Sequence, residues 1–426
     1  MRCLSFAALF TITNARSIVL DIQRPPSDVP LDGSIGKQGQ LNVPICVGGH
    51  NFLVMVDTGS SDLGIVSKYC HRCSKRKSGN PGYDPGRGKT AKSISFANPE
   101  GMHCDLSHDG QCAITTGFED GTGFKSSLFW DDFQFGKCSD QHLDTRAVVG
   151  AIYSATGDPA GEQSVDGIIG LAYQVEAESQ AATPFDMLVK TGELDDIFSI
   201  ALCSDHSAPG VPAGAFELGG DGSRFMRHPS TVQWTPIINE SFYTVDLLSV
   251  KIGDRQVQVD GDHAALNAGG VIVDSGTTDL MVPRKVYKAI VATFFGLCTT
   301  DKPLKGLCYQ SNGQVGTPLP IESSIFRKCV QLTTVQGYPD IVFEFAGGMS
   351  IAVKPRHYLR GQASYCPDQD GYFKMGISDS GSGNGALLGD VFMVGRVSVF
   401  DRKNKRVGFA QLDEGDPVCT DERIVV

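Results

Sequence analysis

Two eight-residue stretches carry the residue types that acid–base chemistry needs. Residues 56–63 read VDTGSSDL and residues 273–280 read VDSGTTDL, with five identical positions and three that exchange serine with threonine. Each closes an apolar run, FLVMV in the first and GVIV in the second. Ending a buried strand on a carboxylate is costly unless that carboxylate has a partner. The twin supplies one. Two carboxyl groups within hydrogen-bonding reach cannot both ionise, so they share a proton, and one acts as base while the other acts as acid. Asp57 and Asp274 are the candidate catalytic pair. Gly59 and Gly276 allow a sharp turn and a close approach of one copy to the other. Ser60 and Thr277 offer hydroxyls to the outer carboxyl oxygens, and Thr58 and Ser275 complete the supporting set. A single Asp-Gly neighbourhood is a common turn. Repetition in both halves of the chain argues for chemistry instead.

The elements that position these motifs repeat as well. GIIGLAY at 167–173 is matched by ALLGDVF at 386–392, so each half also holds two apolar residues followed by glycine. At 426 residues the chain exceeds a usual single core, and two lobes are expected. Fifty glycines favour frequent tight turns. FYTVDLLSVKIG and RVSVFDRKNKRVGFA carry β-branched runs broken by turn residues, which reads as strand. PFDMLVKTG and PRKVYKAIVATFF space their apolar residues as helices do.

With both motifs and their downstream partners in place, the chain resembles the pepsin-like aspartic proteases (family A1) from about Gly39 to Ala410. FELGG, VQWTPI and LLGDVFMVGRVSVFDRKNKRVGFA carry the resemblance further. FSIALC, VDSGTTDLMVPRKVY and the late GFA…C are most similar to the beta-secretase (memapsin) branch. The resemblance implies an all-β, mainly antiparallel, bilobal fold with pseudo-twofold lobes and a few short helices. The lobes are expected at 35–205 and 206–420, with a tail at 421–426. It also implies an aspartic endopeptidase that hydrolyses peptide bonds in extended polypeptides, using water activated between Asp57 and Asp274 and neither cofactor nor metal. TTGFEDGTGFKSSLFWDDFQFG at 115–136 is similar to the flap, a hairpin that closes over bound peptide, with Phe118, Glu119, Asp120, Gly121 and Thr122 at its tip. The alternative is a catalytically silent relative acting as a protein-binding or inhibitor module.

The pattern breaks in places. The family usually carries tyrosine where this chain has Phe118 and tryptophan where it has Gly64, and the two often hydrogen-bond. Losing both ends strands no polar group, and leads us to expect a roomier pocket that accepts bulky apolar side chains. Asp62 and Asp279 stand where asparagine is often seen and are expected to be solvated surface charges. Residues 16–34 fit a short pro-segment, with Arg24 in it or Lys37 just after it to pair with the dyad, or equally a first strand.

Composition sets the surroundings. A net charge of −11 argues against a nucleic-acid partner. Residues 1–15 read as a secretory signal, with one positive charge, a short apolar run and a small residue before the cut. No membrane anchor is expected, and a monomer, secreted or vacuolar/lysosomal, is the anticipated form. Of thirteen cysteines, Cys3 lies within the signal and twelve remain for disulfides. The spacing Cys70-His71-Arg72-Cys73, with His103, Cys104, His108 and Cys112 nearby, gives zinc as a lesser reading that lacks a second knuckle. By resemblance to beta-secretase, Cys203–Cys419 and Cys308–Cys366 pair, with Cys298–Cys329 remaining. The other six, Cys46, Cys70, Cys73, Cys104, Cys112 and Cys138, stay open. Asn239 heads the sequon Asn239-Glu240-Ser241 and is a glycosylation candidate.

Overall fold

The computed structural model describes residues 18–22 and 41–419, except 72, 74–79, 108, 141–143, 158–164, 205–213, 300, 312, 336, 362–365, 367–370, 382, 414 and 416–418. The first fifteen residues, the remainder of the 16–34 segment and the 421–426 tail lie outside it, as do Arg24 and Lys37.

The fold is mainly antiparallel β with a few short helices. A nine-stranded sheet occupies the first half. It runs Asn42–Val47, His50–Asp57, Gly167–Gly170, Leu63–Val66, Asp144–Thr156, Gly123–Phe135, Cys112–Gly117 and Asp105–Leu106, with Lys92–Ser93 paired to the side. The second half holds smaller sheets, among them Val271–Val273, Ala386–Leu388, Leu280–Val282 and Ile377–Asp379.

The sequence repeat reappears as one strand pattern built twice. In the first half, Gly167–Gly170 pairs parallel to His50–Asp57 on one side and antiparallel to Leu63–Val66 on the other. In the second, Ala386–Leu388 pairs parallel to Val271–Val273 and antiparallel to Leu280–Val282. Each motif therefore leaves its strand, loops over the neighbouring strand and returns beyond it. That crossing explains the downstream glycines. A Cβ at Gly170 would lie 2.4 Å from Ser61 Cα, and one at Gly389 would lie 2.3 Å from the Thr277 carbonyl oxygen. Neither leaves room for a side chain.

A third sheet joins the halves. Its order is Ile18–Ile22, Gly214–Leu218, Ile197–Leu202, Arg396–Asp401, Arg406–Gln411 and Gln233–Pro236. Ile18–Ile22 is thus a first strand, paired antiparallel with Gly214–Leu218. The expected lobe boundary between 205 and 206 lies outside the described residues, yet the strands on either side of it pair with each other. Beneath this sheet Phe198 and Phe400 stack at 4.7 Å between ring centroids, and Tyr243 meets Phe400 edge-on at the same separation. The buried Tyr243 hydroxyl donates to the Leu171 carbonyl, tying the second half to the loop after the first.

The two expected helices form as Pro184–Lys190 and Arg284–Phe295. Thr183 caps the first through a capping box with Asp186. Arg402, 9% exposed, reaches the same carboxylate at 2.7 Å and pairs with Asp196 at 3.2 Å, while its guanidinium lies over the Tyr173 ring.

Among the described residues six disulfides form: Cys46–Cys138, Cys70–Cys73, Cys104–Cys112, Cys203–Cys419, Cys298–Cys308 and Cys329–Cys366. The expected Cys308–Cys366 and Cys298–Cys329 pairs are corrected. After the helix Arg284–Phe295 the chain folds back on itself, with Cys308 N–H donating to Leu304, which brings Cys308 to Cys298. Cys329 immediately precedes Val330–Gln331, which pairs with Tyr372–Met375. That strand pairs in turn with Leu359–Arg360, so Cys366, in the connection between them, lies beside Cys329. The ligand-spaced thiols of the zinc reading are consumed in the Cys70–Cys73 and Cys104–Cys112 bonds. Among the described residues no helix is long and apolar enough to cross a membrane.

Candidate active site

Asp57 ends its strand and Asp274 follows its own, and the crossing loops carry both carboxyls to the boundary between the halves. Asp57 is 4% exposed and Asp274 6%. The two carboxyls adjoin at the second turn, where a Cβ on Gly276 would lie 2.3 Å from Asp57 Oδ1 and 3.2 Å from Asp274 Oδ1. Each glycine of the repeat faces the opposite acid: a Cβ at Gly59 would lie 2.6 Å from Asp274 Oδ1, and one at Gly276 would lie 2.3 Å from Asp57 Oδ1. Only a residue without a side chain lets the carboxyls meet.

Hydrogen bonds fix each acid in the same way. Gly59 N–H donates to Asp57 Oδ1 at 2.8 Å, and Gly276 N–H donates to Asp274 Oδ1 at 2.8 Å. Ser60 Oγ donates to Asp57 Oδ2, and Thr277 Oγ1 donates to Asp274 Oδ2 at 2.6 Å. Burial, and then the negative charge of Asp274, push the Asp57 carboxyl well above the usual carboxylate range, against the pull of the Ser60 and Gly59 donors. The neutral form of Asp57 is therefore favoured beside Asp274.

A buried lattice beneath the acids sets their separation. Thr58 Oγ1 donates to the Val273 carbonyl at 2.8 Å and accepts from Ser275 N–H at 2.9 Å. Ser275 Oγ donates to the Val56 carbonyl at 2.9 Å and accepts from Thr58 N–H at 3.1 Å. Both side chains are fully buried, and these four bonds join residues more than 210 positions apart. Each hydroxyl uses its donor and an acceptor lone pair across the boundary.

A family model described as eukaryotic aspartyl protease matches residues 41–412. The chain belongs to that family. Pepsin A of Sus scrofa is 27% identical over 387 residues, covering 90% of this chain and 83% of the relative. Pepsin A of Bos taurus is 26% identical over 388 residues, covering 90% and 87%. A beta-secretase of Strongylocentrotus purpuratus is 29% identical over 271 residues, covering 58% of this chain and 47% of the relative.

In this aspartyl protease family member the stretch expected to be the flap forms a hairpin of Cys112–Gly117 and Gly123–Phe135. Phe118 N–H donates to Thr122, Gly121 N–H donates to Phe118, and Gly121 takes φ 82°, where glycine is favoured. Asp120 Oδ1 accepts from Thr122 N–H at 2.8 Å and Thr122 Oγ1 at 2.7 Å. Glu119 is exposed at the tip. Partial burial of its carboxyl, then the charge of Asp274, raise its pKa.

Two expectations fail here. The space beside Gly64 is filled, because Phe124 and Ile152 occupy it; a Cβ at Gly64 would lie 2.9 Å from Phe124 Cζ. Phe124 packs with Met55, Ile152 and Ile168, and Phe118 joins them with its ring 6.0 Å from that of Phe124. One phenylalanine on the far arm of the hairpin substitutes for volume at Gly64, so the roomier pocket is absent at that point. Its sequence signal was the Gly-Phe that reopens the second flap strand. Nor is Asp62 a solvated charge: it accepts from Glu178 N–H at 2.8 Å and Ser179 Oγ at 2.7 Å, and burial raises its pKa. Asp279 is 6% exposed and buried, while Asp62 keeps part of its surface open. Asn239 is exposed, in a tight turn bridged to Thr244.

Proposed function

We propose that this chain is an aspartic endopeptidase that cleaves extended polypeptides by general acid–base activation of water between Asp57 and Asp274. The observation that carries the reading is the paired geometry of the two carboxyls. Each is held by one glycine N–H and one hydroxyl, and the two adjoin across the turns, with Asp57 Oδ1 and Asp274 Oδ1 both within 3.2 Å of where a Gly276 Cβ would stand. The ionised member takes a proton from water while the protonated member donates to the scissile carbonyl oxygen, and the roles exchange as the intermediate collapses. No covalent bond to the enzyme is needed. The hairpin at 112–135 covers the peptide and excludes solvent, which strengthens the electrostatics beneath it. Six disulfides among the described residues suit an oxidising compartment, and with the amino-terminal signal they support a secreted or vacuolar/lysosomal location.

The test is cleavage of an unfolded protein from about pH 3 to pH 7, with Asp57→Asn and Asp274→Asn as paired controls. Turnover in acid that each substitution lowers by at least about a thousandfold supports the reading. A folded wild-type protein that never cleaves, or variants that cleave as fast as it does, would refute it and leave the silent peptide-binding relative.

A further inference from the structure

We propose that the second half carries a binding site for an anionic amphiphile, a carboxylate with a long apolar tail, in a cavity separate from the acid pair. The cavity measures about 510 Å³ and lies between two stretches of chain, one running from Leu297 to Gln310 and the other from Leu332 to Pro339. None of its lining residues belongs to the loops of Asp57 and Asp274 or to the hairpin at 112–135. Leu332 and Tyr338 are buried, and Leu297, Pro303, Leu304 and Pro339 are half-buried, so the floor is apolar. Among those side chains only Tyr338 carries a polar atom, and its hydroxyl is already occupied. It donates to the Lys305 carbonyl at 2.5 Å and ties one wall to the other. Disulfides fix both walls: Cys298–Cys308 closes the first, and Cys329–Cys366 anchors the strand Val330–Gln331 that leads into the second. Walls held in this way form the cavity before a ligand arrives, which lowers the entropy lost on binding.

The rim supplies the charge. Lys302 and Lys305 are exposed lining residues, and among the described residues neither ammonium has a hydrogen-bond or ion-pair partner. No acid is among the lining residues: Asp301 is not one of them, and Asp340, next to Pro339, is held by Lys354 at 2.6 Å. The rim thus reverses locally the sign of a chain whose net charge is −11. Two unpaired cations above an apolar floor match a ligand that is anionic at one end and apolar along the rest. The lysine stems extend the apolar surface up to their charged heads. A polypeptide would bring backbone amides that this floor leaves unpaired. Since a cavity of about 150 Å³ takes a benzene ring, this one has room for a tail of about ten carbons.

The experiment is isothermal titration calorimetry of the full chain at about pH 7, where a carboxylate is ionised. The probes are decanoate, octanoate, decanol and decyltrimethylammonium, each below its micelle concentration. Decanoate is expected to bind at one site, roughly fivefold or more tighter than decanol. Octanoate, two methylenes shorter, binds roughly tenfold more weakly than decanoate. The double substitution Lys302→Gln with Lys305→Gln brings decanoate and decanol to within about twofold of each other, and Lys302→Glu with Lys305→Glu turns the preference to decyltrimethylammonium. Both side chains are exposed, so these variants keep the fold. Thr333→Trp, an exposed lining position, fills the mouth and weakens decanoate and decanol alike. No one-site decanoate isotherm, equal affinity for decanoate and decanol in wild type, or a decanoate affinity that neither the lysines nor Thr333→Trp moves overturns the proposal. An acidic, leucine-rich octapeptide that binds through the same lysines while decanoate does not would assign the cavity to a polypeptide partner and overturn it too.

Discussion

Replacing Thr58 with valine keeps the shape of the side chain and removes one hydroxyl from the lattice beneath the dyad. That hydroxyl serves two backbone groups of the other half, donating to the Val273 carbonyl and accepting from Ser275 N–H. Thr58 is fully buried, so water cannot replace the lost partner. Leaving a buried donor or acceptor unpaired costs about 1–3 kcal/mol each. With both stranded, Thr58→Val should destabilise the fold by roughly 3 kcal/mol in chemical denaturation, far beyond the small change expected of a surface substitution. The two carboxyls proposed to react also shift, because Thr58 adjoins Asp57 and Ser275 adjoins Asp274. A displacement of about 1 Å is enough to lower kcat by about a hundredfold. Ser275→Ala should behave alike, and the double mutant should cost less than the sum, with about 1–3 kcal/mol of coupling. Thr58→Val with unchanged stability and unchanged kcat, or strict additivity in the double mutant, would refute the claim that this lattice sets the distance between the acids.

Three further outcomes are expected. Asp57 is raised above its unfolded pKa, so its neutral form stabilises the fold in acid, and that contribution fades as pH rises above about 4 towards neutrality; Asp57→Asn should lose less stability than wild type over that window in pH-dependent thermal unfolding. Arg402→Ala leaves the buried Asp186 without its cation and should cost about 3–5 kcal/mol in urea denaturation. Among the disulfides, Cys203–Cys419 closes a separation of 216 residues and Cys70–Cys73 one of 3; by loop entropy, serine substitution of the first pair should cost about 4 kcal/mol more than of the second, measured by calorimetry.

What could be read from the sequence was whatever the chain states twice. Asp57 and Asp274, their glycines and their hydroxyls stand out because chemistry at a shared boundary needs the same local solution in each half. The helices Pro184–Lys190 and Arg284–Phe295 also follow from spacing alone. Features that depend on a distant partner did not show. Asp62 looks like an exposed loop acid until Ser179, 117 positions on, is found donating to it. Gly64 looks like a vacancy until Phe124 is folded against it, since local spacing carries no information about volume contributed from another strand. Cys298 pairs only ten residues away because the chain after its helix doubles back, a path set by turns rather than by apolar periodicity. Residues 16–34 could be read as pro-segment or first strand, and the strand Ile18–Ile22 shows itself only through its distant partner Gly214–Leu218.

The sheet that joins the halves has a consequence for biosynthesis. Arg396–Asp401 lies in its interior, flanked by Ile197–Leu202 and by Arg406–Gln411. A nascent chain that has finished Ile197–Leu202 must therefore hold one edge of that strand open for nearly two hundred further residues before its neighbour leaves the ribosome. Truncated products cannot seal themselves, and the exposed edge is a template for pairing with other chains. Supplying residues 396–411 as a separate peptide should rescue such a truncation from aggregation.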